Sequence, residues 1–105
     1  MGARIDIVIT DPAPGDVTLD ASNMFQVQGD ITPSDPSYTI RAYLINKADL
    51  TNPIVGTLVQ QTADTFHFTF TVPTASQHVS LYLSVVAEDG NDAGGLGFSV
   101  RCVPQ

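Results

Sequence analysis

The chain has no tryptophan, one cysteine and only four basic residues against eleven acidic ones, giving a formal net charge of −7 over 105 residues. A lone Cys102 excludes an internal disulfide. That suits a reducing compartment and, equally, the cysteine-poor proteins of bacterial surfaces. The scarcity of cations argues against nucleic acid and anionic lipid as partners, because the overall field repels them. No apolar run approaches the roughly 20 residues that span a bilayer as a helix, so no direct membrane insertion is expected. The opening MGARIDIVIT enters a strand-like pattern at once and contains no apolar leader run, so no signal peptide is read in it. Walker loop, dinucleotide glycine fingerprint, paired CxxC and nucleophile elbow are all missing. Nothing proposes a nucleophile, a base and an orienting group in mutual reach, so no enzyme and no organic cofactor are expected.

What is present is alternation. Apolar residues make up 43% and charged ones 14%, the balance of a folded chain rather than a disordered one. The length allows one domain, read as 1–105. Ile5, Ile7 and Ile9 alternate with Asp6, Val8 and Thr10, a short first strand that Asp11-Pro12-Ala13-Pro14-Gly15-Asp16 breaks. Val17 to Leu19 reads as a brief continuation along an edge. Phe25 and Val27 set the phase of the next strand, which Gly29 is expected to close before a proline-rich loop from Ile31 to Ser37. Tyr38, Ile40, Ala42 and Leu44 define a third strand, and Asn46 to Asn52 reads as a connection closed by Pro53. Val55, Thr57 and Val59 give a weaker strand with Gly56 as a bulge.

Phe66, Phe68, Phe70 and Val72 then share one face, with His67, Thr69 and Thr71 on the other. Such an aromatic stripe is expected to be core. The last stretch is a hairpin. One arm places Val79, Leu81, Leu83, Val85 and Ala87 on one face, and the other places Leu96, Phe98, Val100 and Cys102. Asp89 to Gly95 is the turn between them. About seven short alternating strands with turn signals between them predict an all-β, two-sheet antiparallel sandwich, with a small closed barrel as the competing architecture.

Three passages carry a family resemblance. IVITDPAPGDVTLDASNMFQVQGDI resembles the opening of bacterial immunoglobulin-like domains, with a Pro-x-x-Gly turn at Pro12–Gly15 and Val27-Gln28-Gly29 ending the second strand. Thr65 to Phe70 is similar to their phenylalanine-rich strand, and Val85 to Asn91 to their strand-to-turn passage. No cysteine pair bridges the sheets and no tryptophan sits in the third strand, so the antibody type is not matched. The modules attached to spore-germination and cell-wall proteins are the nearer cousins. The resemblance implies an immunoglobulin-like antiparallel β-sandwich, exported to the bacterial surface or secreted, non-catalytic, and used as an adhesive unit or spacer. A protein or cell-wall carbohydrate partner would fit this role, and the isolated domain is expected to be a monomer. A structural subunit of an assembly, pairing through edge strands, is a further alternative.

Candidate ligand residues are few. If connections alternate between the two ends of a sandwich, then Asp30, Asp35, Asp64, Asp89, Asn91 and Asp92 gather at one end. They are hard oxygen donors suited to calcium. The spacing lacks an EF-hand register, and Asp and Asn are also ordinary turn formers. Tyr43 and Tyr82, on the outward phase of their strands, and Tyr38 could form a sugar-binding face. His67 and His78 read as exposed or hydrogen-bonded structural residues, and Cys102 as a buried, inert thiol.

Overall fold

Strand β7, Thr65–Thr71, shows the rule by which the chain folds: Phe66, Phe68 and Phe70 are buried while the threonines and His67 between them face outward. The same alternation builds β1 (Asp6–Asp11), β3 (Met24–Thr32), β4 (Thr39–Asn46) and β8 (Ser80–Glu88). A computed structural model describes residues 5–105 and adds β2 (Gly15–Thr18), β5 (Asp49–Val55), β6 (Thr57–Gln61) and β9 (Ala93–Val103). Among the described residues the one helical turn is Thr74–Ser76. One sheet has the order β1-β3-β7-β6 and the other β2-β9-β8-β4-β5. Every pair is antiparallel except β2 with β9, which is parallel. The expected sandwich is the observed one, with nine strands in place of about seven.

Of these, β2, β5 and β6 lie at sheet edges, where sequence patterning is weakest. The Asn46–Asn52 connection is instead a tight turn into β5, which pairs with β4 through Tyr43↔Val55 and Leu44↔Ile54. An edge strand tolerates Pro53 because one of its sides needs no donor. Gly56 is not a bulge inside one strand. It is where the chain leaves the five-stranded sheet as β5 and joins the four-stranded sheet as β6. Its N–H still donates to Ala42 O at 2.8 Å, and a β-carbon there would lie 2.9 Å from Phe70 Cζ. Near the start, the Pro12–Pro14 break likewise moves the chain from one sheet to the other.

Gly29 does not close its strand either. β3 continues to Thr32, and the Phe66 ring fills the space that a side chain at Gly29 would occupy. Two positions read as inward are not. Val79 and Leu96 are each 39% exposed, and Phe98 is only partly buried. Val79 precedes β8, directly after His78 at φ 66°. Leu96 and Phe98 lie in the upstream half of β9, while β2 reaches only Val100 to Val103, leaving that edge open. The core proper includes Val27, Phe70, Leu83, Val85 and Cys102, all fully buried. Phe25 stacks on Phe70 with centroids 5.4 Å apart. Buried Gln77 donates from Nε2 to Val72 O at 3.0 Å, and among the described residues no buried side-chain polar atom lacks a partner.

Candidate functional site

The acidic residues do come to one end. Ile31 N–H donates to Asp64 O and Asp35 N–H to Ala63 O, both at 2.8 Å, tying the loop after β3 to the β6–β7 turn. The hairpin tip is there as well, because the Tyr38 hydroxyl feels Asp35, Asp89 and Asp92. Burial first, then those three carboxylates, raises its pKa. Tyr38 is itself buried and donates to Pro33 O at 2.6 Å, so it belongs to the core and not to a sugar-binding face.

Sharing an end does not make these groups converge. The Asp89 carboxylate accepts the N–H groups of Asn91 at 2.9 Å and Asp92 at 2.7 Å. Asp35 accepts from the N–H and hydroxyl of Ser37 at 2.9 and 2.7 Å, and Asp64 from the Thr62 hydroxyl at 3.1 Å. Asp30 stands on the outer side of β3, opposite Val8 and Thr65. Among the described residues no three His, Cys, Asp or Glu side chains form a group that could hold a metal ion. The Asp35, Asp64 and Asp89 carboxylates each turn back on their own loop, which is how Asp stabilises a tight bend.

The tip is accounted for by the same chemistry. Asp89 N–H donates to Asp92 O at 3.1 Å, and Gly90 takes φ 94°, which a side chain would strain. Gly94 lies against the backbone carbonyl of Ile5, where a β-carbon would collide. Pairing resumes already at Glu88↔Ala93, so the turn is 89–92, shorter than the expected 89–95.

Hydrogen bonds from Asp92 and then Asn91 hold the Asp89 carboxyl below the usual aspartate range. A carboxyl with a depressed folded pKa stabilises the fold above its unfolded pKa, about 3.9. That contribution fades as pH falls through the folded value. Asp89→Ala is therefore expected to lower the melting midpoint at pH 7, with the difference from the parent vanishing at low pH. Parallel melts of the two proteins between neutral and strongly acidic pH check this.

His67 Nε2 lies 2.6 Å from Gln26 Oε1, and the backbone N–H of exposed His78 donates to Cys102 O at 2.9 Å. Burial pushes the Cys102 thiol up to about 11. Since the thiolate is the reacting species, a thiol reagent at mildly alkaline pH should label Cys102 only as fast as the domain opens. Prompt labelling of native protein would contradict its placement.

The outer face of the five-stranded sheet is arranged differently. Tyr43 and Tyr82 both stand on it, half-buried, with Tyr43 opposite Ser84 and Tyr82 opposite Ile45. That diagonal relation puts them about 7–8 Å apart. The Tyr82 ring lies over Gly97, in space that a β-carbon would share with Tyr82 Oη at 2.5 Å and Cζ at 2.6 Å. Lys47 Nζ sits 5.6 Å from the centroid of the same ring. The sequence identified both tyrosines but not Gly97 or Lys47. The one available signal was a glycine in an outward strand position, which marks a close approach.

No family model matches the chain, and no curated protein matches it. Among solved structures it is similar to an engineered protein, with TM-score 0.66 and 13% identity over 96% of this chain and 20% of that one. The chain thus spans about a fifth of that protein's length. It is also similar to a chimeric titin Z1Z2 functionalised with an exogenous peptide from decorin, with TM-score 0.54, 13% identity and 100% coverage of both chains. At this level of identity the likeness concerns the fold. The chain is an immunoglobulin-like β-sandwich.

Proposed function

We propose that the chain is a non-catalytic immunoglobulin-like module of a bacterial surface or secreted protein, acting in adhesion or as a structural spacer. One observation carries this reading. Four of the polar residues that could have formed a reactive or metal-binding centre are bound into the module's own turns and ladders: Asp35, Asp64 and Asp89 cap their loops, and His67 bonds Gln26. What remains free is surface, which is what a spacer or an adhesive unit uses. The bacterial and extracellular parts of the reading rest on the sequence resemblance at Pro12–Gly15, Thr65–Phe70 and Val85–Asn91.

The test is cellular. With an epitope tag on the full-length gene product, brief protease treatment of intact cells is expected to remove the domain's signal. Complete protection in intact cells, with cleavage only after lysis, would overturn the assignment to the surface.

A further inference from the structure

We propose that the outer face of the five-stranded sheet, centred on Tyr82, binds a carboxylate-bearing polysaccharide. This deepens the adhesive reading above and rests on it. Three observations support it, each independent of the acidic end.

The first is the distribution of cations. The chain has four basic residues, and the three within the described region, Arg41, Lys47 and Arg101, all lie on or beside this one face. Arg41 is on β4 opposite Val86, and Arg101 is on β9 opposite Ser80, next to the Tyr82–Ser99 pair. The outer face of the other sheet carries Asp6 and Asp30 and, among the described residues, no lysine or arginine.

The second is the ring itself. Tyr82 is fixed over Gly97 at an outward position, and Tyr43 stands diagonal to it. Aromatic rings held on a sheet surface offer an apolar platform to the C–H face of a pyranose, with a hydroxyl at the rim. The surrounding Ser80, Ser84 and Ser99 are short hydroxyl side chains that leave the rings accessible.

The third is charge at short range. On the outer face the strand positions next to Tyr82 are Ile45 on β4, Ser80 and Ser84 on β8, and Gly97, Ser99 and Arg101 on β9, none of them a carboxylate, and Lys47 follows β4 in the turn to β5. The carboxylates nearest the three cations are Asp16 on β2, the register partner of Arg101, Asp49 at the start of β5, two residues past Lys47, and Glu88 on β8, diagonal to Arg41. The net charge of −7 does not decide the matter. The loops of Asp35 and Asp64 lie at the other end of β4 from Lys47, and the opposite sheet is about 10 Å away. The screening length is about 8 Å at physiological salt. A carboxylated sugar over Tyr82 would meet Lys47 and Arg101, and a guanidinium can grip a carboxylate through two hydrogen bonds.

Affinity electrophoresis of the intact chain through gels containing polygalacturonate, neutral dextran or polyglutamate tests the proposal. Retardation by polygalacturonate alone is expected, and it should weaken as salt is raised. Tyr82→Ala and Lys47→Glu should each reduce it by about tenfold or more, equivalent to roughly 1.4 kcal/mol. Tyr82→Phe, which keeps the ring, should retain most of it. Lys47 is exposed, in the turn between β4 and β5, so its variant stays folded even if Tyr82→Ala does not. No retardation by polygalacturonate, equal retardation by polyglutamate, or retardation indifferent to Lys47→Glu would each overturn the proposal. A domain that is protease-accessible on intact cells yet ignores polygalacturonate would lose this inference and keep the broader reading.

Discussion

Leu83→Asp is expected to leave no folded protein. Leu83 is fully buried in the middle of β8, with Leu44 of β4 on one side and Phe98 of β9 on the other. Truncating such a side chain costs about 2–5 kcal/mol before any charge is considered. An uncompensated carboxylate adds several more, and every described cation lies outside the core. Together these match the whole stability of a small domain, about 5–15 kcal/mol. Far-ultraviolet circular dichroism and a melt read the outcome, and a soluble variant with the parent's spectrum would contradict it. Phe98→Asp, at the half-covered end of β9, should by contrast remain folded with a lowered midpoint.

Gly29→Val is the second large effect. Gly29 faces inward from the middle of β3, opposite Ile9 on one side and Phe66 on the other. A β-carbon there would collide with the Val8 carbonyl and with the Phe66 ring, whose Cε2 would lie 2.9 Å away. The ring could rotate aside only into a packed core, and the carbonyl belongs to the β1–β3 ladder. Overpacking of this kind costs about 1–3 kcal/mol or more, despite the better strand propensity of valine. A urea titration should show the midpoint falling with the slope unchanged. An unchanged or raised midpoint would mean that Phe66 does not occupy that space.

These substitutions also show what the sequence disclosed. The central strands were legible because each buries one face and leaves the other wet, which writes a period of two into the residues. Phe66–Val72 and Leu81–Ala87 are the clearest cases. The edge strands β5 and β6 bury almost nothing, so no such pattern marks them. Leu50, Val55, Leu58 and Val59 are all exposed there, and the switch between sheets at Gly56 depends on Phe70 and Ala42, distant in sequence. The parallel β2–β9 pair joins opposite ends of the chain, and no local signal announces it. For the candidate site, topology correctly gathered the acidic loops at one end. Whether carboxylates face each other or their own backbone depends on loop conformation, which composition does not encode. Tyr82 was visible as an outward aromatic, but its seat over Gly97 required the β8–β9 register.

The central claim is that the Asp35, Asp64 and Asp89 carboxylates of the acidic end are turned onto their own loops. The most direct test is the melting midpoint of the intact chain without calcium and with about 10 mM calcium. That concentration is at least tenfold above the roughly 0.1–1 mM dissociation constants of extracellular calcium modules. A site of that strength would add about 1.4 kcal/mol or more, worth several degrees in a domain of this size. The midpoint is expected to coincide in calcium and in an equal ionic strength of sodium chloride. A calcium-specific rise, lost in Asp89→Ala, would contradict the claim.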